Sequence, residues 1–217
     1  MAEFTLVIGN KNYSSWALRP WILMRHLGLP FEEKQILLDT PTFKEEVAKY
    51  GPSGNMPVLK HGNVTVWDSL AICEYLADIT GKGWPRDLEA RAFARSVCAE
   101  MHAGFVNLRM EWPFNARARN RRTLMTPGLE MDIERIDEIW IDCRRRYGSD
   151  HGPWLFGEYG IADAMYAPVV LRFNTYRAQV SDTTRWYMAE ALQDPALQEW
   201  VHAAQQEPWT IEAFEVG

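Results

Sequence analysis

The feature that most constrains this chain is a change of texture near Gly81: strand-like segments crowd the residues before it and nearly vanish after it. Residues 4–9 (FTLVIG) read as a short apolar strand, closed by the turn formers Asn10, Lys11 and Asn12. A helical pattern follows over 15–27, with Trp16, Leu23 and Leu27 apolar, and it stops at Gly28. Pro20 conflicts with a helix interior, so the spacing predicts either a start nearer Leu18 or an irregular first turn. A strand near 31–38, a helix near 43–49 and a loop over 51–57 (GPSGNMP) come next. Residues 58–60 and 64–67 flank the turn His61, Gly62, Asn63 as short strands, and a helix from Asp68 or Ser69 to Thr80 ends at Gly81. The order βαβαββα predicts a partly parallel sheet with helices on its faces.

Past that point the periodicity is helical over 88–111, 129–146, 161–176, 184–192 and 195–205. Asp194 before Pro195 is a cap residue followed by a first-turn proline. The expected organisation is an α/β domain over 1–80, a linker over 81–87 and an all-helical domain over 88–217.

Composition removes several function classes. Lys and Arg total 23 and Asp and Glu total 29, a net charge of −6 that repels polyphosphate and argues against a nucleic-acid partner. Two arginine runs, Arg117, Arg119, Arg121, Arg122 and Arg144, Arg145, Arg146, sit among acidic neighbours and read as solvated helix faces. No segment approaches the ~20 apolar residues of a membrane span, and the first ten residues lack a secretory pattern. Three cysteines with no C-x-x-C fit reduced thiols, so the expected location is the cytoplasm.

Common catalytic signatures are missing. Gly51-Pro52-Ser53-Gly54-Asn55 is not a nucleophile elbow, and Gly81-Lys82-Gly83 is neither a dinucleotide fingerprint nor a P-loop. Cys98 and His102 share a helix face, but two ligands do not make a metal site, so no metal is expected. Three junctions carry more. Ser14 and Ser15 place two hydroxyls at a helix opening, where one caps and the other is spare for an anion. Met56-Pro57 enters a strand; with a cis bond, the Met56 backbone would face outward to pair with an extended peptide. Asp68 and Ser69 open another helix, either as caps or as the recognition pair for an amino acid's ammonium and carboxylate.

Together these junctions resemble the glutathione transferase family, in its serine-type, bacterial zeta/theta-like cytosolic form. The resemblance spans nearly the whole chain and rests on SSWALRPW from Ser14, SGNMPVL from Ser53, WDSLAICEYL from Trp67 and GIADAMYAP from Gly160. It implies an α/β thioredoxin-like N-terminal domain followed by an all-α helical C-terminal domain, glutathione as co-substrate, and a homodimer. It also implies roles. Ser14 would stabilise the glutathione thiolate, with Ser15 as helix cap and alternate. Met56 would pair with the cysteinyl unit beside the cis-proline Pro57, and Asp68 and Ser69 would hold the γ-glutamyl end. The sequence departs from the pattern at three positions. Asn55 stands where many relatives carry a lysine for the glycyl carboxylate. Trp16 replaces the cysteine of the zeta pattern, which weakens the case for maleylacetoacetate isomerase activity. Gly160 replaces the usual Ser or Thr of a helix-capping box, leaving Asp163 to bond back to the Gly160 N–H. No cysteine lies near Ser14, which argues against thiol-transferase chemistry.

The electrophile would lie between the Tyr13–Trp16 loop and the first long helix of the second domain. Phe105, Arg109 and Trp112 are spaced to share one face of that helix, either as interdomain core or as an apolar pocket with a cation for developing charge. The expected function is conjugation of glutathione to a small hydrophobic electrophile. The alternatives are a glutathione-dependent isomerase and a non-catalytic binding module on the same fold.

Overall fold

A computed structural model describes residues 3–148 and 151–217. Alternation along the first strand sets the layers. In β1 (Phe4–Ile8), Phe4, Leu6 and Ile8 enter the main core, while Val7 points to the opposite face with Ile36, Val47 and Val58. β1 lies at the centre of a four-stranded sheet of order β2-β1-β3-β4, with β2 at Phe31–Gln35, β3 at Val58–His61 and β4 at Val64–Trp67. β1 and β2 are parallel; β3 runs antiparallel to both β1 and β4. Helices α1 (Ser15–His26) and α3 (Ser69–Thr80) join the main core, and the short α2 (Phe43–Ala48) covers the Val7 face. β2 ends three residues before the expected Leu38, whose N–H turns instead to the Asn10 side chain at 2.8 Å.

α1 runs through Pro20 in its second turn rather than starting at Leu18. Nearly all of it is buried, because the sheet and α3 pack against it on one side and α7 (Ile161–Tyr176) on the other. The remaining helices are α4 (Leu88–Ala103), α5 (Val106–Glu111), α6 (Pro127–Cys143), α8 (Asp182–Gln193) and α9 (Pro195–Gln206). This is a thioredoxin-like unit joined to an all-helical unit. Among the described residues, no helix is long and apolar enough to cross a membrane.

Two expectations are corrected here. The helix predicted over 88–111 breaks at Gly104 and Phe105. A Cβ on Gly104 would lie 2.8 Å from the Glu100 carbonyl, and Phe105 takes a left-handed conformation at φ 60°, so α5 leaves in a new direction. The arginine runs are only partly solvated: Arg119, Arg122, Arg145 and Arg146 are exposed, but the others are tied down. Arg117 donates to the Glu207 and Trp209 carbonyls, Arg121 pairs with Glu215, and Arg144 is buried in a π turn, bonding the Gly152 and Trp154 carbonyls.

The capping box at α7 explains its own glycine. Asp163 accepts the Gly160 N–H at 3.0 Å, together with the Leu155 N–H and the Tyr187 hydroxyl. A Cβ on residue 160 would meet the Gly83 carbonyl at 2.8 Å, and that carbonyl accepts the Ile161 N–H at 2.9 Å. The linker carbonyl therefore stands where a serine side chain would go. Gly160→Ser is expected to lower stability by about 1–3 kcal/mol through overpacking, although it restores a better cap residue. Thermal unfolding checks this, and a raised midpoint would contradict it.

Candidate functional site

Strand register gathers the three junctions at one end of the sheet. Val7 pairs with Val58, and Val58 with Trp67. The loop after β1, the residues before β3 and the start of α3 therefore leave the same edge. The N-termini of α1 and α3 meet there, and the two helix dipoles favour an anion between them.

Ser14 occupies the N-cap position of α1, but its side chain makes no capping bond. Ser15 is the first helical residue, which corrects its expected role as the cap. The two side chains are 7% and 8% exposed, and among the described residues neither hydroxyl makes a hydrogen bond. The loop carrying them is held from far along the chain. The Lys11 and Asn12 N–H groups donate to the Glu207 carboxylate at 2.7 and 2.9 Å, and the Asn12 side chain accepts the Arg117 N–H. Tyr13 points away from the junction. Its hydroxyl donates to Glu215 at 2.7 Å and accepts the Ile211 N–H at 3.1 Å.

The Met56-Pro57 bond is cis. Among the described residues, the Met56 N–H and C=O have no hydrogen-bond partner. The Asn55 side chain is turned into its own loop, donating to the Ser53 carbonyl at 3.3 Å. Asp68 caps α3: its Oδ1 accepts the Leu70 and Ala71 N–H groups, and its Oδ2 lies 3.1 Å from His102 Nε2. Ser69 is buried, and its hydroxyl accepts from Arg19 Nη1 at 3.2 Å.

Arg19 has no carboxylate within ion-pair distance among the described residues. It also donates to the Met165 carbonyl at 3.2 Å. Burial first, and the neighbouring Arg109 second, pull its guanidinium down to about 9. A lone cation inside the otherwise apolar LRPWIL stretch is the signal that marks it in the sequence. His102, which shares a helix face with Cys98 in the sequence, instead bridges to the Asp68 carboxylate; desolvation lowers its basicity. Among the described residues, no group of three His, Cys, Asp or Glu side chains stands close enough to hold a metal.

The proposed electrophile residues separate. Phe105 and Trp112 are 7% and 2% exposed, and Trp112 stacks on Tyr176 in the helical core. They are the two non-helical cap residues of α5, on either side of Arg109, and both turn into the core. Arg109 and Trp16 stay partly open and meet, the guanidinium carbon 4.7 Å from the ring centroid. Arg19 also stands over Trp16 at 4.3 Å, and His102 meets the ring edge-on at 5.4 Å. Trp16 thus joins the α3 junction to α4 and α5.

Comparison with known proteins fits this geometry. Residues 13–79 match the family described as glutathione S-transferase, N-terminal domain. "Protein IN2-1 homolog B" of Oryza sativa subsp. indica is 25% identical over 167 residues, covering 74% of this chain and 62% of that protein's length. "Glutathione S-transferase 1" of Dianthus caryophyllus is 39% identical over 82 residues, 36% of this chain and 37% of the relative. A glutathione transferase homolog from Burkholderia GL BGR1, solved with bound glutathione, superposes with a TM-score of 0.71 at 22% identity, covering 94% of this chain and 99% of that one. Residues 13–79 thus match a glutathione S-transferase N-terminal domain, and the chain as a whole has the fold of the glutathione transferases it is similar to.

Cys73, Cys98 and Cys143 are all buried, and desolvation pushes each thiol well above its usual range. A disulfide-forming colorimetric reagent should therefore titrate no thiol in the native protein and three in denaturant. Rapid modification of any cysteine in the native state would contradict that burial.

Proposed function

We propose that the protein is a glutathione transferase in which Ser14 ionises the glutathione thiol for direct attack on a small electrophile. The observation that carries this reading is the Ser14 hydroxyl, which stands at the opening of a helix without capping it. Such a hydroxyl is free to donate to a thiolate, and the start of α1 adds positive potential.

The surrounding groups suit the tripeptide. The unpaired Met56 N–H and C=O offer strand-like pairing to an extended peptide. The Ser69 hydroxyl, beside the Arg19 guanidinium at the start of α3, suits the γ-glutamyl carboxylate. Oδ2 of Asp68 is partly open for the γ-glutamyl ammonium. With Asn55 folded into its loop, the glycyl carboxylate has a neutral partner at most, which favours modest affinity. The reading extends to a cytoplasmic homodimer, supported by apolar Val64 and Trp67 left exposed on the edge strand β4.

A hydrogen bond to an ionised group is worth about 1.5–3 kcal/mol, or about one to two pKa units on the sulfur. Ser14→Ala is expected to lower kcat about tenfold to a hundredfold near neutral pH while changing glutathione affinity less than about threefold. Ser15→Ala should have a smaller effect. Steady-state kinetics with calorimetric glutathione binding checks this; unchanged turnover in Ser14→Ala would remove the serine from the mechanism.

A further inference from the structure

Around Trp16 the charges do not balance. Arg19 is fully buried and bonded only to neutral acceptors, the Met165 carbonyl and the Ser69 hydroxyl. Arg109 reaches the same ring from α5. Its Nε donates to the Gly104 carbonyl at 3.1 Å and its Nη2 to the Met101 carbonyl, while its Nη1 has no partner among the described residues. A third guanidinium, Arg172 of α7, is buried behind them and bonds the Trp112 carbonyl at 2.8 Å.

The acids facing this group are already engaged. Asp68 holds the first amides of α3 and His102. Asp132 on α6 accepts the Leu108 N–H at 2.9 Å and makes no ion pair with Arg109. Buried cations without counterions are costly, and an arriving anion relieves that cost. On the reading above, the γ-glutamyl carboxylate answers Arg19 through Ser69. That reading assigns no group of glutathione to Arg109, which meets Trp16 from the helical side.

We propose that the electrophile carries a carboxylate, which pairs with Nη1 of Arg109 while the electrophilic carbon lies over the glutathione sulfur beside Trp16. This inference rests on the transferase reading. It replaces the apolar electrophile expected from Phe105 and Trp112, which the core has taken. Arg109 is then a residue that sets substrate choice. Two backbone acceptors fix its guanidinium, so little order is lost when a carboxylate binds.

The test compares 4-chloro-3-nitrobenzoate with 4-chloro-3-nitrobenzamide, matched in shape and differing in charge. In both, the thiolate attacks the ring carbon bearing chlorine, a C–S bond forms, and the C–Cl bond breaks with its electron pair leaving as chloride. The thiol proton passes to water. Each kcat/KM is divided by the rate of the same substrate with free glutathione. The expected result is a preference of about tenfold or more for the acid, which shrinks as ionic strength rises. In Arg109→Gln the preference should fall to about one, and Arg109→Lys should recover part of it. Calorimetric glutathione binding in each variant verifies the folded site, and the wild-type comparison decides even where a variant fails to fold. Equal rates for acid and amide in the wild type would overturn carboxylate recognition and leave the transferase reading standing. Conjugation of neither substrate would overturn the transferase reading, and this inference with it.

Discussion

The hydroxyl of Tyr13 and the carboxylate of Glu207 hold the loop on which the site depends. Residues 10–15 are almost entirely buried, yet they form no regular structure until α1 begins, so their polar backbone needs partners from elsewhere. Those partners come from the far end of the chain. Glu207 takes two successive amides, Trp200 donates to the Lys11 carbonyl, and Glu215 and Ile211 close on the Tyr13 hydroxyl. Arg117 and Arg121 tie the same tail back to the segment after α5. Because the tail supplies these bonds, the loop does not need its serines for structure. That leaves the Ser14 hydroxyl available for a ligand.

Rigidity and charge work together at this junction. Trp16, two residues beyond Ser14, is the common neighbour of Arg19, His102 and Arg109, which come from α1, α4 and α5. The thioredoxin-like unit supplies the helix N-termini, and the helical unit supplies a guanidinium and an imidazole. The result is a small region of positive potential on an acidic protein. A net charge of −6 speaks to the whole surface and says little about a cleft whose field is set by groups a few ångströms away.

Much of the fold was legible because the relevant signals are local. The alternation of Leu6, Val7 and Ile8 marks a two-faced strand, and Gly81 ends α3 where expected, in a left-handed conformation. The motifs around Ser14, Met56 and Asp68 could be read as one site because sheet register brings their junctions to one edge. What escaped depended on contacts between distant residues. The helical spacing of Phe105, Arg109 and Trp112 hides that Phe105 and Trp112 are the non-helical ends of the short α5 and fold into the core. Arg117, Arg121 and Arg144 escaped because their partners, the carbonyl of Glu207, the carboxylate of Glu215 and the carbonyl of Trp154, follow no shared sequence pattern. Gly160 reads as a weakened cap because no local signal shows that the Gly83 carbonyl fills the space.

The central claim is that Ser14 holds glutathione as a thiolate, and the most direct measurement is the ultraviolet absorbance of the bound thiolate as a function of pH. The expected result is a bound thiol that titrates about one to two units below the ~8.5 of an ordinary free thiol, and in Ser14→Ala returns most of the way to it. A bound thiol that titrates as it does in solution, with glutathione fully bound, would contradict the claim.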